Sequence, residues 1–217
     1  MIGEFRLTKC QKDFNMHQEI FTEIYDHNIW GNTDGSVFFS GGGSRGESAD
    51  FYVEIISQFI ENNSIKKIVD LGCGDFYIGN RIVERTKVEY IGVDCVEKLV
   101  KYNSEKFPNS KFYHQNITVG VPFTGDLCLI RQVLQHLSNQ DIINILNNCH
   151  HFPCVIITDA VNGPVINEDI VTSRYTRIYG QIDLTKPPFN LYSEILFEHN
   201  QLRAFKWRPN EKFSIGQ

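Results

Sequence analysis

Two carboxylates and two glycines share one short string, Val69-Asp70-Leu71-Gly72-Cys73-Gly74-Asp75. Glycines at this spacing let a backbone turn at positive φ and approach a ligand with no Cβ in the way. Asp94 stands twenty residues beyond Gly74 and closes the run Tyr90-Ile91-Gly92-Val93-Asp94. If both runs are parallel strands, Asp94 lies at a strand's carboxyl end, where an acid can grip both hydroxyls of a ribose. A helix after the glycine turn would offer unpaired N–H groups to a polar ligand. The chemistry is therefore nucleoside binding. A dinucleotide needs G-x-G-x-x-G/A, and the third place here is Tyr77, with the next glycine at Gly79. Asp70 would also set a carboxylate beside a diphosphate. A carboxylate suits an ammonium or a sulfonium instead.

The elements that must position these groups alternate from Ile65 onward. Apolar runs predict strands near 66–71, 89–93, 111–115, 126–131 and 153–158, with helices near 77–86, 95–106 and 139–149. Ser138 and Asp141 have capping spacing at the start of the last helix. This is an α/β pattern, a Rossmann-like doubly wound sheet. Glu194–His199 and Leu202–Trp207 flank Asn200-Gln201 and predict an antiparallel hairpin at the end. Upstream, 17–25 predicts a helix with Ile20, Phe21 and Ile24 on one face. Trp30–Gly35 is turn-rich, and Ser40-Gly41-Gly42-Gly43-Ser44-Arg45 exposes its backbone. Ser44 and Glu47 have capping-box spacing and predict a helix through about Ile60, its inner face carrying Tyr52, Ile55, Ile56 and Phe59.

The chain has 217 residues, which points to a single domain with an N-terminal helical appendage over 1–45 and a core over 46–217. Its net charge of −5 and lack of a basic cluster argue against a nucleic-acid partner. No apolar run reaches membrane-spanning length, and the first residues do not read as a secretory signal, so a cytoplasmic protein is expected. The cysteines form no C-x-x-C. Cys149-His150-His151-Phe152-Pro153-Cys154 crosses a helix end and a strand start, so its side chains should diverge, and no metal is expected.

Asp70-Leu71-Gly72-Cys73-Gly74, with its strand before and its acid after, resembles motif I of the class I S-adenosylmethionine (SAM)-dependent methyltransferases. Ile91-Gly92-Val93-Asp94 resembles their motif II. That family also ends in a hairpin, so the resemblance implies a mostly parallel seven-stranded sheet. It implies SAM as cofactor, held by Asp70, Gly72, Cys73, Gly74, Asp94 and Cys95. His114-Gln115-Asn116-Ile117 matches the family's adenine site, which assigns the exocyclic amine to Asn116 and the ring face to Ile117. Trp30 with Gly41, Gly43, Ser44 and Arg45 resembles a segment found in some bacterial small-molecule methyltransferases. It implies a lid over the methionine end, with Arg45 on the cofactor's carboxylate.

The fourth strand continues into Arg131-Gln132-Val133-Leu134-Gln135-His136-Leu137, which resembles family members reading V-L-Q/E-H-L. Gln132 and His136 are four apart, so a helical turn would put both on one face. His136 is the candidate base, because imidazole suits taking a proton from a hydroxyl near neutral pH. Gln132 and Arg131 would orient the acceptor, and Arg131 also faces the cofactor. The D/N/S-P-P-Y/F signature of DNA-amine methylation is missing at that strand's end. Lys186-Pro187-Pro188-Phe189 mimics it elsewhere and reads as a rigid turn.

The long connection from Ala160 to Ser193 carries Arg174, Tyr175, Arg177, Tyr179 and Lys186. Arg174, Tyr175 and Tyr179 are the candidate acceptor-binding residues, suited to a small polar or anionic molecule such as a sugar or phosphorylated metabolite. Methylation of nitrogen and a SAM-binding regulator without catalysis remain alternatives. A nicotinamide oxidoreductase is disfavoured by Tyr77. The residues do not fix the acceptor or the oligomeric state.

Overall fold

The computed structural model describes residues 9–161, 163–170 and 180–209. Seven strands form one sheet. The first five are β1 (Lys67–Leu71), β2 (Glu89–Asp94), β3 (Lys111–His114), β4 (Leu127–Arg131) and β5 (Val155–Ala160). They pair in parallel in the order β3-β2-β1-β4-β5. The terminal hairpin completes the sheet with β8 (Glu194–His199) and β9 (Leu202–Trp207). β9 runs antiparallel beside β5 and places β8 at the edge. A separate pair, β6 (Val165–Ile166) and β7 (Gly180–Gln181), lies within the long connection.

Alternation along the strands feeds two cores, as the two-residue period of a strand requires. Val69, Leu71, Cys128 and Ile130 face one way and pack with Ile142, Ile145 and Leu146 of α5 (Asn139–Asn148). Ile68, Leu127, Leu129 and Ile156 face the other and meet Tyr52, Val53, Ile56 and Ile60 of α2 (Gly46–Asn62). Ile82 of α3 (Tyr77–Thr86) joins that second cluster. A parallel sheet covered on both faces follows. The chain order reverses between β1 and β4, which opens a crevice at their carboxyl ends. α4 (Glu97–Lys106) links β2 to β3.

Some local expectations need correction. α1 spans Lys9–Asp26, longer than the predicted 17–25. β5 starts at Val155 rather than 153, because the chain still turns through Phe152. The capping box at Ser44 does not form: α2 begins at Gly46 with Arg45 as its N-cap and no side-chain cap. Ser44 instead ends a 3-10 turn, Gly42–Ser44, and donates its hydroxyl to the Gly41 carbonyl at 2.7 Å. The other cap forms: the Asp141 N–H donates to Ser138 Oγ at 3.1 Å. His150 packs on Trp207 while His151 reaches the Phe123 carbonyl, so these two rings diverge. Lys186–Asn190 is a turn closed by Phe189 and Asn190 N–H groups on the Lys186 carbonyl.

Candidate active site

A cavity of about 320 Å³ opens at the carboxyl ends of β1, β2 and β4. Its floor is the glycine turn. Gly72 and Gly74 take φ +78° and +56°, and a Cβ at either would lie 2.4 Å from a neighbour, Val133 or Ser40. Glycine is required here by close protein packing and by the positive φ.

The turn does not offer free N–H groups, contrary to the expectation for the helix start. Gly72 and Cys73 donate to the Val93 carbonyl, Gly74 to Asp94 Oδ2, and Asp75 to Ser40 Oγ. Phe76 donates to the Cys73 carbonyl and Tyr77 to Asp75 Oδ1. A pyrophosphate would find no amide cradle between 72 and 77. It would find carboxylates instead, because Asp70, Asp75 and Asp94 all line the cavity.

Asp70 is buried and accepts a 2.6 Å bond from the Tyr90 hydroxyl. Burial raises its pKa to about 6, against the opposing pull of Tyr90 and the Arg131 charge. Asp94 is also pushed up by burial, against N–H groups of Val96 and Gly74 that favour its charged form. It therefore ties the glycine turn to β2 while facing the cavity.

Arg131, at the end of β4, donates from Nη2 to the Gly43 carbonyl at 2.5 Å and stands 4.9 Å over the Tyr52 ring. Its Nε is buried with no hydrogen-bond partner among the described residues. Burial lowers its pKa from the usual arginine value. A buried donor without a partner is costly; the residue as a whole lines the cavity. Three carboxylates in the lining, one of them at the end of β2, and an arginine beside them fit SAM.

Arg45 does not fill the role assigned to it. Its Nε donates to Asp34 at 2.7 Å, Nη2 to Asp75 at 2.9 Å and Nη1 to Ser44 Oγ at 2.8 Å, and the guanidinium lies 3.7 Å from the Tyr77 ring centre. It clamps the 40–45 loop onto the glycine turn rather than reaching the cavity. Asn116 is likewise occupied. Its carbonyl accepts from Thr118 N–H and hydroxyl at 2.9 and 2.8 Å, and its amide pairs with His17 Nδ1 at 3.3 Å. It braces this end of the cavity, with its carbonyl and amide already engaged by the protein. Ile117, Thr118 and Cys95 line that end beside it.

Gln132 and His136 both line the cavity, but not through one α-helical face. Gln132 is left-handed at φ +53°, and a 3-10 turn, Leu134–His136, follows. Trp30, Gly41, Gly43 and Ser44 line the same cavity. Arg174, Tyr175 and Tyr179 lie outside the described residues.

His17, Phe21 and Tyr25 line the cavity from α1, although the sequence placed only Phe21 on the inner face and none of the three in the site. Their spacing of four is a ring-bearing stripe that the apolar face of Ile20, Phe21 and Ile24 only partly caught. Sequence reasoning also missed Ser40 and Asp75. Ser40 exchanges a 2.9 Å bond with the Tyr25 hydroxyl while receiving the Asp75 N–H, so it joins α1 to the glycine turn.

Residues 68–152 match the family described as "Methyltransferase domain". No curated protein sequence matches the chain. Among solved structures, the chain resembles magnesium protoporphyrin IX methyltransferase from Synechocystis PCC 6803 with bound SAH (S-adenosylhomocysteine). That pair is 14% identical with TM-score 0.60, covering 89% of this chain and 98% of the other. A protein from Pyrococcus horikoshii OT3 gives 14% identity and TM-score 0.55 over 76% and 92%. Mitomycin 7-O-methyltransferase gives 12% and 0.54 over 73% of this chain and 54% of its own length. The chain therefore carries a methyltransferase-domain segment over 68–152 and shares its fold with methyltransferases of known structure. It is an enzyme, and its cofactor is S-adenosylmethionine.

Proposed function

We propose that this methyltransferase acts on a hydroxyl oxygen of a small polar acceptor, of the sugar or phosphorylated-metabolite class. SAM supplies the methyl group on a sulfonium, so the protein must align an oxygen with it and keep water away. The observation that carries the reading is His136. The residue is 8% exposed, lines the cavity just past β4, and has Gln135 Nε2 3.3 Å from its Nε2. A ring there can take the hydroxyl proton as the oxygen attacks.

Gln132 would orient the acceptor from the neighbouring position. Arg131, which lines the cavity at the end of β4, would hold the cofactor's carboxylate. Arg174, Tyr175 and Tyr179 stay with the proposal on sequence grounds, as the polar mouth of the site. The acidic chain favours a small molecule over nucleic acid. Among the described residues no helix is long and apolar enough to cross a membrane, and a cytoplasmic setting is part of the same proposal.

The test is a screen for SAH release with sugar phosphates, nucleotide sugars and small phosphorylated alcohols, each with wild type and His136→Ala. Turnover on hydroxyls that collapses in the variant supports the reading. Turnover confined to amines, undiminished in His136→Ala, refutes it.

A further inference from the structure

His17 lines the cavity, is 2% exposed and has no part in the proton transfer assigned to His136. Both of its ring nitrogens are turned to the protein. Nδ1 lies 3.3 Å from Asn116 Nδ2, and Nε2 lies 3.4 Å from Asp141 Oδ2. These neighbours fix the tautomer. Asn116 Oδ1 already accepts from the Thr118 N–H and hydroxyl, so the amide nitrogen faces the ring, and an amide nitrogen only donates. Nδ1 therefore accepts, and the ring proton sits on Nε2, toward Asp141. Asp141 also accepts the Ser138 hydroxyl at 2.6 Å. Burial alone would raise its pKa, yet the bonds from His17 and Ser138 hold it below the ordinary carboxylate value. A histidine engaged on both nitrogens is not a second base. It joins α1 to the loop after β3 and to the first turn of α5.

What it holds in place lies further along the same helix face. Phe21 meets His136 edge-on, with ring centroids 6.1 Å apart and planes at 85°. Beyond it, Tyr25 exchanges a 2.9 Å bond with Ser40 Oγ. α1 is thus fastened at His17 and at Tyr25, and the ring between them rests on the imidazole. Trp30, in the turn after α1, stands 5.1 Å from the same ring. His136 ends the short 3-10 turn Leu134–His136, so the direction of its side chain depends on what packs against it. Asp141, the anchor of His17, belongs to the same stretch of chain as His136.

We propose that His17 is a positioning residue: by pinning α1 to Asn116 and Asp141 it seats Phe21 against His136 and so sets the direction of the imidazole. Its effect on rate rests on His136 being the base; the seating does not.

The test reads His136 directly. The chain has seven histidines. Their ring signals are recorded by NMR on histidine-labelled protein, and that of His136 is assigned by its loss in His136→Ala. Ring currents make this signal sensitive to the place of Phe21. His17→Ala should shift it, and His17→Gln, which keeps an N–H donor toward Asp141, should shift it less. In a Phe21→Leu background His17→Ala should add little further shift, because the ring through which His17 acts is gone. If His17→Ala does not fold, His17→Asn, which keeps an acceptor for Asn116 but is too short for Asp141, takes its place in each comparison. A folded variant with the His136 signal at its wild-type position overturns the proposal, as do fully additive shifts from His17 and Phe21. SAH release on the sugar phosphates and phosphorylated alcohols of the screen separates the base assignment. There His17→Ala should lower kcat by about 10- to 100-fold, the scale of misplacing a catalytic group by about 1 Å. A shifted His136 signal with unchanged kcat would leave the seating in place and remove His136 as the base.

Discussion

Gly72→Ala tests how the floor of the site is built. The residue sits at φ +78°, and an added Cβ would lie 2.4 Å from Val133 Cγ2. The left-handed backbone costs an alanine about 1–2 kcal/mol. Forcing a methyl against a packed neighbour adds about 1–3 kcal/mol. Together these predict a loss of about 2–5 kcal/mol, read as a drop of about 4–20 °C in Tm for a chain of this size. The two causes can be separated. Val133→Ala removes the struck methyl and leaves the backbone cost. In a double-mutant cycle, Gly72→Ala with Val133→Ala should therefore be less destabilised than the sum of the single variants, by about 1–3 kcal/mol. Denaturant unfolding without cofactor isolates this effect from ligand binding. Additivity within about 0.5 kcal/mol would refute the contact with Val133 as the reason for glycine.

Asp70 holds its proton more tightly in the folded protein than in the unfolded chain, with a pKa of about 6 against 3.8. The cost of its buried charge is absent below the unfolded value, grows between the two, and is full above about 6. Asp70→Asn should then raise stability by about 1–3 kcal/mol at pH 8 and by less at pH 5, while weakening SAM. Equal melting curves for variant and wild type at both pH values would contradict this. His136→Ala should lower kcat by about 10²–10⁴-fold on a hydroxyl acceptor with SAM affinity held, and a loss of SAM binding instead would move His136 to the cofactor. Asp94→Ala should weaken SAM by about 1.5–3 kcal/mol, and calorimetry showing no change would remove it from the site. Arg45→Ala should weaken SAM and an analogue lacking the carboxylate equally, whereas a defect confined to SAM would restore Arg45 to the cofactor.

Local pattern carried the parts of the fold that were legible. α3 lies where the spacing placed it, and both hairpin strands match their predicted spans, because a polar Asn200-Gln201 turn separates two clear runs. The glycine turn and Asp94 were readable because each ends a strand. What failed was the pairing of side chains across distance. Arg45 finds Asp75 30 residues away, and Asn116 finds His17 99 residues away. Neither pairing leaves a periodic trace. Ser44 shows the same limit at short range: its spacing to Glu47 suited a cap, but the preceding glycines wound into a 3-10 turn that took its hydroxyl. Arg45 and Asn116, chosen for the ligand, were groups the protein had already engaged, since a buried donor or acceptor left alone is costly.

Asp75 is held from two sides by the N-terminal segment: Oδ2 accepts from Arg45 and from the Ser40 N–H, while its own N–H goes to Ser40 Oγ. Two stretches of chain thirty-five residues apart therefore make a single mechanical part. A boundary drawn at residue 45 divides the sequence but not the folding unit. Without the segment, the glycine turn would keep its strands yet lose the groups that satisfy Asp75. Substitutions in one stretch must be answered in the other, so the two should drift together among descendants of this chain, and grafting the glycine turn alone onto another sheet would carry over only half of the device.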